Sequence, residues 1–150
     1  MKTIALRYSD NYAPEKGMIY YHNILIEQNG YVWYGKFGSK ISTEILDEQL
    51  KNDDPKFLLI KSGSVERYWV HFSDYMQNEV PPLNMIPEYY RKDFDKIKCW
   101  FKINMFEKAD KNVLGKCFVL SSGDCLSLAS KHSMNPYFKI DYIEGENKNE

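Results

Sequence analysis

Apolar and polar positions change their period several times along the chain, and each change predicts an element. Two-residue alternation in TIALRY predicts a strand over Thr3–Tyr8, with Ile4 and Leu6 on its inner face. Ser9–Gly17 (SDNYAPEKG) is punctuated by Asp10, Asn11, Pro14 and Gly17 and reads as a loop. Two periods compete from Met18 to Gln28. Asn29-Gly30 is a hairpin signal, yet Tyr21, Ile24, Leu25 and Gln28 recur at helical spacing, and Asn-Gly also stops helices. The helical period is favoured, followed by a strand over Tyr31–Phe37. Ser42–Lys51 predicts a second helix, with Ser42 as its cap, Glu44 in its first turn and Ile45, Leu46 and Leu50 as its buried stripe.

Phe57–Lys61 and Val65–Phe72 predict two strands joined in a hairpin by Ser62-Gly63-Ser64. Val80–Arg91, with three prolines, reads as a long connection with a helical turn near Glu88–Arg91, and such loops are often functional. Ile97–Phe106, Lys116–Leu120 and Pro136–Ile143 predict further strands, and Glu144–Glu150 a charged tail. About six strands and two or three helices within residues 1–143 predict one α+β domain. Its expected form is a mixed, strongly curved sheet or pseudo-barrel with flanking helices.

The alternation also sorts side chains by face. In Val65–Phe72 one face carries Tyr68, Val70 and Phe72, and the other Arg67, Trp69 and His71. In Ile97–Phe106 one face carries Ile97, Cys99, Phe101, Ile103 and Met105, and the other Lys98, Trp100, Lys102 and Asn104. Two strands thus each set a tryptophan between cations on the face that the core does not need. Rings beside Lys and Arg suit nucleic acid, since a base stacks on the ring while the cations meet phosphates. The alternative is that each Trp anchors a helix packed on the outer face, with Lys stems draped over it. The pair together, both flanked by cations, favours ligand contact, and Trp33 in GYVWYGKFG is a third candidate for the same cleft.

Composition changes this picture in three places. A net charge of −1 excludes bulk coating of nucleic acid, so any basic patch must be local. Twelve tyrosines, beside eight Phe and three Trp, supply flat surfaces with polar tips for wet binding sites. Three cysteines, an odd number, make no disulfide framework. With no apolar run long enough to span a membrane and no signal-peptide pattern in MKTIALRYSD, a cytoplasmic chain is expected.

The order strand, helix, GYVWYGKFG strand, helix, DPKFLLIKSG and aromatic strand resembles the EVE branch of the PUA-like superfamily. The resemblance implies a compact pseudo-barrel that binds a modified or flipped base, with Ser62 at the pocket, where that family has a small hydroxyl residue. It also implies recognition rather than chemistry, directed at DNA or RNA. Relatives are often attached to nucleases or to defence and RNA-handling modules, so such a partner would here be a separate protein. The related ASCH branch carries Gly-x-Lys-x-x-Glu-x-Arg. Here Gly38 and Lys40 fit, but Glu44 comes one position late and no Arg follows, which counts against a hydrolase using Lys40 and Glu44.

Other chemistry fares less well. Cys99, Cys117, Cys125 and His132 lack the tight Cys-x-x-Cys spacing of a zinc site, and Cys99 and Cys117 alternate with apolar neighbours as core cysteines do. No metal or other cofactor is expected. SSGDCLSLASKHS offers a nucleophile and base in name only; its Ser121–Asp124 portion reads as a turn whose polar groups can meet a base edge. His22 and His71 have no evident partner in the sequence. The expectation is a nucleobase- or nucleotide-binding cleft with Trp33, Trp69 and Trp100 stacking, Ser62 and Asp124 at the base edge, and Arg67, Lys98 and Lys102 at phosphates. The rivals are the ASCH-like hydrolase and a protein–protein module built on the tryptophans and Val80–Tyr90.

Overall fold

The computed structural model describes residues 1–144; the predicted tail beyond Glu144 lies outside them. Seven strands, β1 (Lys2–Arg7), β2 (Val32–Phe37), β3 (Lys56–Ile60), β4 (Tyr68–Gln77), β5 (Ile97–Lys108), β6 (Cys117–Val119) and β7 (Tyr137–Tyr142), form one mixed sheet. Their order is β2-β5-β4-β3-β1-β7-β6. β1 and β3 run parallel, and the other neighbours antiparallel. Three α-helices, α1 (Met18–Asn29), α2 (Thr43–Leu50) and α3 (Leu126–His132), pack around it. This is the expected α+β fold.

Ring distances reveal how far the sheet curls. Tyr34 on β2 and Phe57 on β3 have ring centres 6.2 Å apart, although two strands stand between them. A flat sheet would separate them by roughly 14 Å, at ~4.8 Å per strand. Lys36 Nζ on β2 lies 5.6 Å from the Tyr137 ring on β7, five strands away in the order. The sheet is therefore rolled into a pseudo-barrel, helped by bulges after His71 and Phe72 in β4, since a bulge bends and twists its strand. The interior is filled by Ile4, Leu6, Val32, Tyr34, Phe57, Val70, Phe72, Phe101 and Ile103, with Met18 of α1 and Leu46 of α2 closing it. Each such side chain contributes about 1.5–3 kcal/mol through removal from water.

Several elements depart from expectation. β4 begins at Tyr68 rather than Val65 and runs on to Gln77. Its second half was illegible because the bulges break the alternation and Ser73 and Asp74 are exposed. The turn near Glu88 is longer, a 3-10 segment over Glu88–Lys96 kinked at Asp93. α3 was not expected; it is seven residues long and buries Leu126 alone, too little for a periodic signal. The first helix is present, but its buried residues are Met18 and His22, supported by Leu25 and Ile26, while Gln28 is exposed. Ser42 stands at the N-cap of α2 without a side-chain capping bond.

Candidate functional site

The tryptophans do not form the expected cleft. Trp33, Trp69 and Trp100 are 6%, 5% and 0% exposed, and they do not converge on a cleft. Trp33 and Trp100 share a cluster with Ile86, Tyr90 and Ile97, roofed by the connection from Val80 to Lys96. Trp69 belongs to another, with Val113, Cys117, Leu126 and Ile140, and meets Tyr142 edge-on at 4.9 Å. Around Trp69 and Trp100 both faces of β4 and β5 are therefore covered, so alternation there separates two cores instead of core from solvent. Lys stems do drape these rings: Lys56 Nζ lies 4.9 Å from the centre of Trp69. Gly35 permits the packing, since a Cβ there would stand 2.9 Å from Trp100 Cζ3 and 3.0 Å from Ile97 Cγ2.

The phosphate candidates scatter. Lys98 is exposed on β5, and Lys102 Nζ is held 4.3 Å over the Tyr31 ring; neither lines a cavity described here. Arg67 does line one, together with Ser62. Asp124 is exposed in the Ser121–Asp124 turn, where Gly123 takes a φ of 77° and Val119 donates to the Asp124 carbonyl. It lines neither of the cavities that Ser62 lines.

Ser62 lines a second concavity as well. Where β1, β2 and β3 end, the barrel opens into a cavity of about 530 Å³, walled by Tyr8, Tyr12, Tyr34, Phe37, Tyr89 and Tyr90. Tyr12 stacks on Phe37 with centres 4.1 Å apart and planes within 9°, while remaining 41% exposed. Such a flat, half-wet ring is a platform for a planar ligand. The same rim carries Arg7, Lys36, Lys61 and a single carboxylate, Asp10. Lys61 Nζ donates to Asp10 Oδ2 at 2.7 Å, and Met18 N–H donates to Oδ1 at 2.9 Å, so Asp10 also satisfies the start of α1. Partial burial opposes the Asp10 charge, but these bonds outweigh it and hold its carboxyl below the usual range. Burial, with Asp10 nearby, pushes the Tyr8 phenol up.

Among the described residues, two cations of the rim pair with no acid. Lys36 is buried at 4% exposure, donates to the carbonyls of Phe37 and Ser39 at 3.2 and 2.7 Å, and has its pKa lowered by that burial. Arg7 donates from Nε to the Asn135 carbonyl, from Nη2 to the carbonyls of Ser130 and Ser133, and from Nη1 to Ser62 Oγ at 3.1 Å. Because Ser62 Oγ accepts from Arg7, its own hydroxyl proton is left to donate to a ligand.

One wall is set by a buried chain of bonds. His22 Nδ1 lies 2.7 Å from the Met18 carbonyl, which only accepts, so the proton sits on Nδ1. Nε2 then accepts from the Tyr90 hydroxyl at 2.9 Å, and that oxygen accepts from Gly35 N–H at 3.1 Å. Full burial keeps His22 neutral, with its pKa lowered to about 4. No sequence pattern signals this bond, because the partner of His22 lies 68 positions away. His71, the other unassigned histidine, is held between Asp54 and Glu107 at 2.7 Å each, away from the cavity.

The remaining chemical candidates separate. Cys99 lies in the barrel core and Cys117 under Trp69, each with its thiol pushed up to about 12 by burial. Among the described residues no three His, Cys, Asp or Glu side chains gather as a metal site. Lys40 and Glu44 are exposed, and neither lines the barrel mouth. Among the described residues no helix is long and apolar enough to cross a membrane.

Comparison with curated proteins and with solved structures gave no match. The model of one family, described as Pua-like, matches residues 4–146, nearly the whole chain. With a rolled mixed sheet, flanking helices and a mouth at the ends of its first strands, the chain belongs to the Pua-like family.

Proposed function

We propose that the barrel mouth receives a nucleobase of a nucleic acid and that the domain recognises this base without transforming it. The observation that carries the reading is the cavity itself: stacked, half-exposed rings, a serine hydroxyl with its proton free, and cations in excess of acids. A volume of about 530 Å³ suits a small planar ligand. Ring faces stack on any base, the Ser62 hydroxyl donates to a ring nitrogen or exocyclic oxygen, and Arg7 and Lys61 meet negative charge at the rim.

The EVE-like branch fits this chemistry. In DPKFLLIKSG the strand β3 ends at Ile60, and Ser62 lines the mouth, which supports that reading. A modified or flipped base, read on its exposed edge, is the ligand this reading assigns. A separate nuclease or RNA-handling partner, and a cytoplasmic setting, belong to the same proposal.

The test is fluorescence anisotropy with single- and double-stranded oligonucleotides, with and without methylated cytosine. Wild type is compared with Tyr12→Ala and Ser62→Ala, and each protein is melted alongside. Tyr12→Ala is expected to lose about 1–3 kcal/mol of binding, the usual worth of one stacked base, with an unchanged melting temperature. A wild-type protein that binds none of these oligonucleotides refutes the reading.

A further inference from the structure

A second cleft, of about 700 Å³, adjoins the barrel mouth and shares Arg7, Lys61 and Ser62 with it. Its walls are the Ser62-Gly63-Ser64 turn, the segment from Lys111 to Gly115, the α3 residues Ser127, Ser130 and Lys131, and Met134 just beyond that helix. Five cations line it, Arg7, Lys61, Arg67, Lys111 and Lys131, and no Asp or Glu does. In a chain with 20 Lys and Arg against 21 Asp and Glu, that is a strong segregation of charge. The carboxylates nearest in sequence are engaged elsewhere: Glu66 accepts from the Tyr68 hydroxyl at 2.7 Å, and Asp110 pairs with Lys116 at 3.7 Å. Among the described residues, Arg7, Arg67, Lys111 and Lys131 form no salt bridge.

A second observation is independent of charge. Val65 and Met134, at 76% and 81% the most exposed large apolar side chains among the described residues, both line this cleft. Cations for phosphates beside bare apolar tips for sugar and base faces are what an unpaired strand asks for. Arg7 joins the two cavities. Four of its five N–H protons are used on Ser62 and three carbonyls, which fixes the guanidinium at the junction and leaves one Nη1 proton with the full charge.

We propose that this cleft is a phosphodiester track, which binds the backbone of a single strand on one side of the nucleotide whose base enters the barrel mouth. The assignment rests on the nucleobase reading of the mouth and extends it: the ligand is a strand, not a free nucleoside. Arg67, Lys111 and Lys131 bind successive phosphates, and Arg7 binds the phosphate of the inserted nucleotide. A base in the mouth is unstacked from its neighbours, so the strand beside it is locally single.

The experiment uses fluorescein-labelled thymidine and uridine oligonucleotides of roughly twelve nucleotides, within the site sizes of single-strand binders. Affinity is measured from about 50 to 200 mM salt. The triple variant Arg67→Ala/Lys111→Ala/Lys131→Ala removes surface cations and should melt like wild type. It is expected to lower the log–log salt slope by about 2, at ~0.7 per lost single-strand contact. Tyr12→Ala should weaken binding while keeping the slope. DNA and RNA share the phosphodiester, and the better of the two probes identifies the source. A triple variant that keeps the wild-type slope overturns the track, and if Tyr12→Ala still weakens binding, the nucleobase reading stands without it. A lost slope in the triple variant with an unaffected Tyr12→Ala supports the track and overturns the nucleobase reading. Displacement of the oligonucleotides by polyglutamate at equal charge concentration overturns the nucleic-acid assignment in favour of an acidic protein partner.

Discussion

Protonation of His22 should unfold the wall of the barrel mouth, and the size of the effect follows from its burial. In the folded chain its pKa is lowered to about 4 by burial, while in the unfolded chain it returns to about 6.5. The folded pKa lies below the unfolded one, so the unfolded state binds more protons between the two values. Stability is therefore whole above about pH 6.5 and is lost as pH falls through the window towards about 4, below which the loss levels off. At 1.36 kcal/mol per unit, the cost is about 2 kcal/mol at pH 5 and about 3 at pH 4. That is a large share of the 5–15 kcal/mol typical of a domain. Urea unfolding of wild type and His22→Gln from pH 7.5 to 4.5 measures it. The variant should be weaker at neutral pH, having broken the bonds to Met18 and Tyr90, yet the gap should close by about 2 kcal/mol on acidification to pH 5. Other acids titrate in both proteins and cancel in the difference. A gap that stays constant with pH would show that His22 is not a buried neutral group and refute the reasoning.

Three further outcomes follow from packing and charge. Trp100→Ala and Trp69→Ala should each cost about 3–5 kcal/mol in denaturant unfolding, because both rings are core; a stable variant with a selective binding loss would restore them to a ligand site. Gly35→Ala should cost about 1–3 kcal/mol by overpacking, since its Cβ meets Trp100 at 2.9 Å, and an unchanged melt would contradict the contact. Lys98→Ala/Lys102→Ala should leave the salt slope of oligonucleotide binding as in wild type, because neither side chain lines the barrel mouth or the basic cleft; a fall of about 0.7 per residue on single strands would bring them back as phosphate contacts.

The strands were legible because Ile4 and Leu6, or Phe101 and Ile103, alternate cleanly into a single interior. What alternation could not reveal is what lies on the second face. It set Trp100 between lysines as though it met solvent, because the roof over it comes from the proline-rich connection and Tyr90, which have no strand or helix period. Ser62 was named from the resemblance alone. The residues that share its cavity, Tyr12 and Tyr89 from two separate 3-10 segments and Phe37 from the end of β2, share no spacing that a one-dimensional reading can use. The basic cleft stayed hidden for the same reason: it is assembled from two turns and α3, a helix too short to signal itself.

The place of β1 in the sheet also fixes when the site comes into being. β1 is made first, but it lies between β3 and β7, pairing Lys2 with Asp141 and Leu6 with Tyr137. At roughly 5–20 residues per second of synthesis, some four to sixteen seconds pass between completion of β3 and of β7. Throughout that time one edge of β1 has no partner, and an unpaired edge invites pairing with other chains. Arg7 feels the delay most, for its amide bonds Pro136 and its guanidinium bonds Ser130, Ser133 and Asn135. Neither the barrel mouth nor the basic cleft can form before β7 is made. Both are completed when residues 137–142 dock beside β1, and that long loop closure makes the step slow.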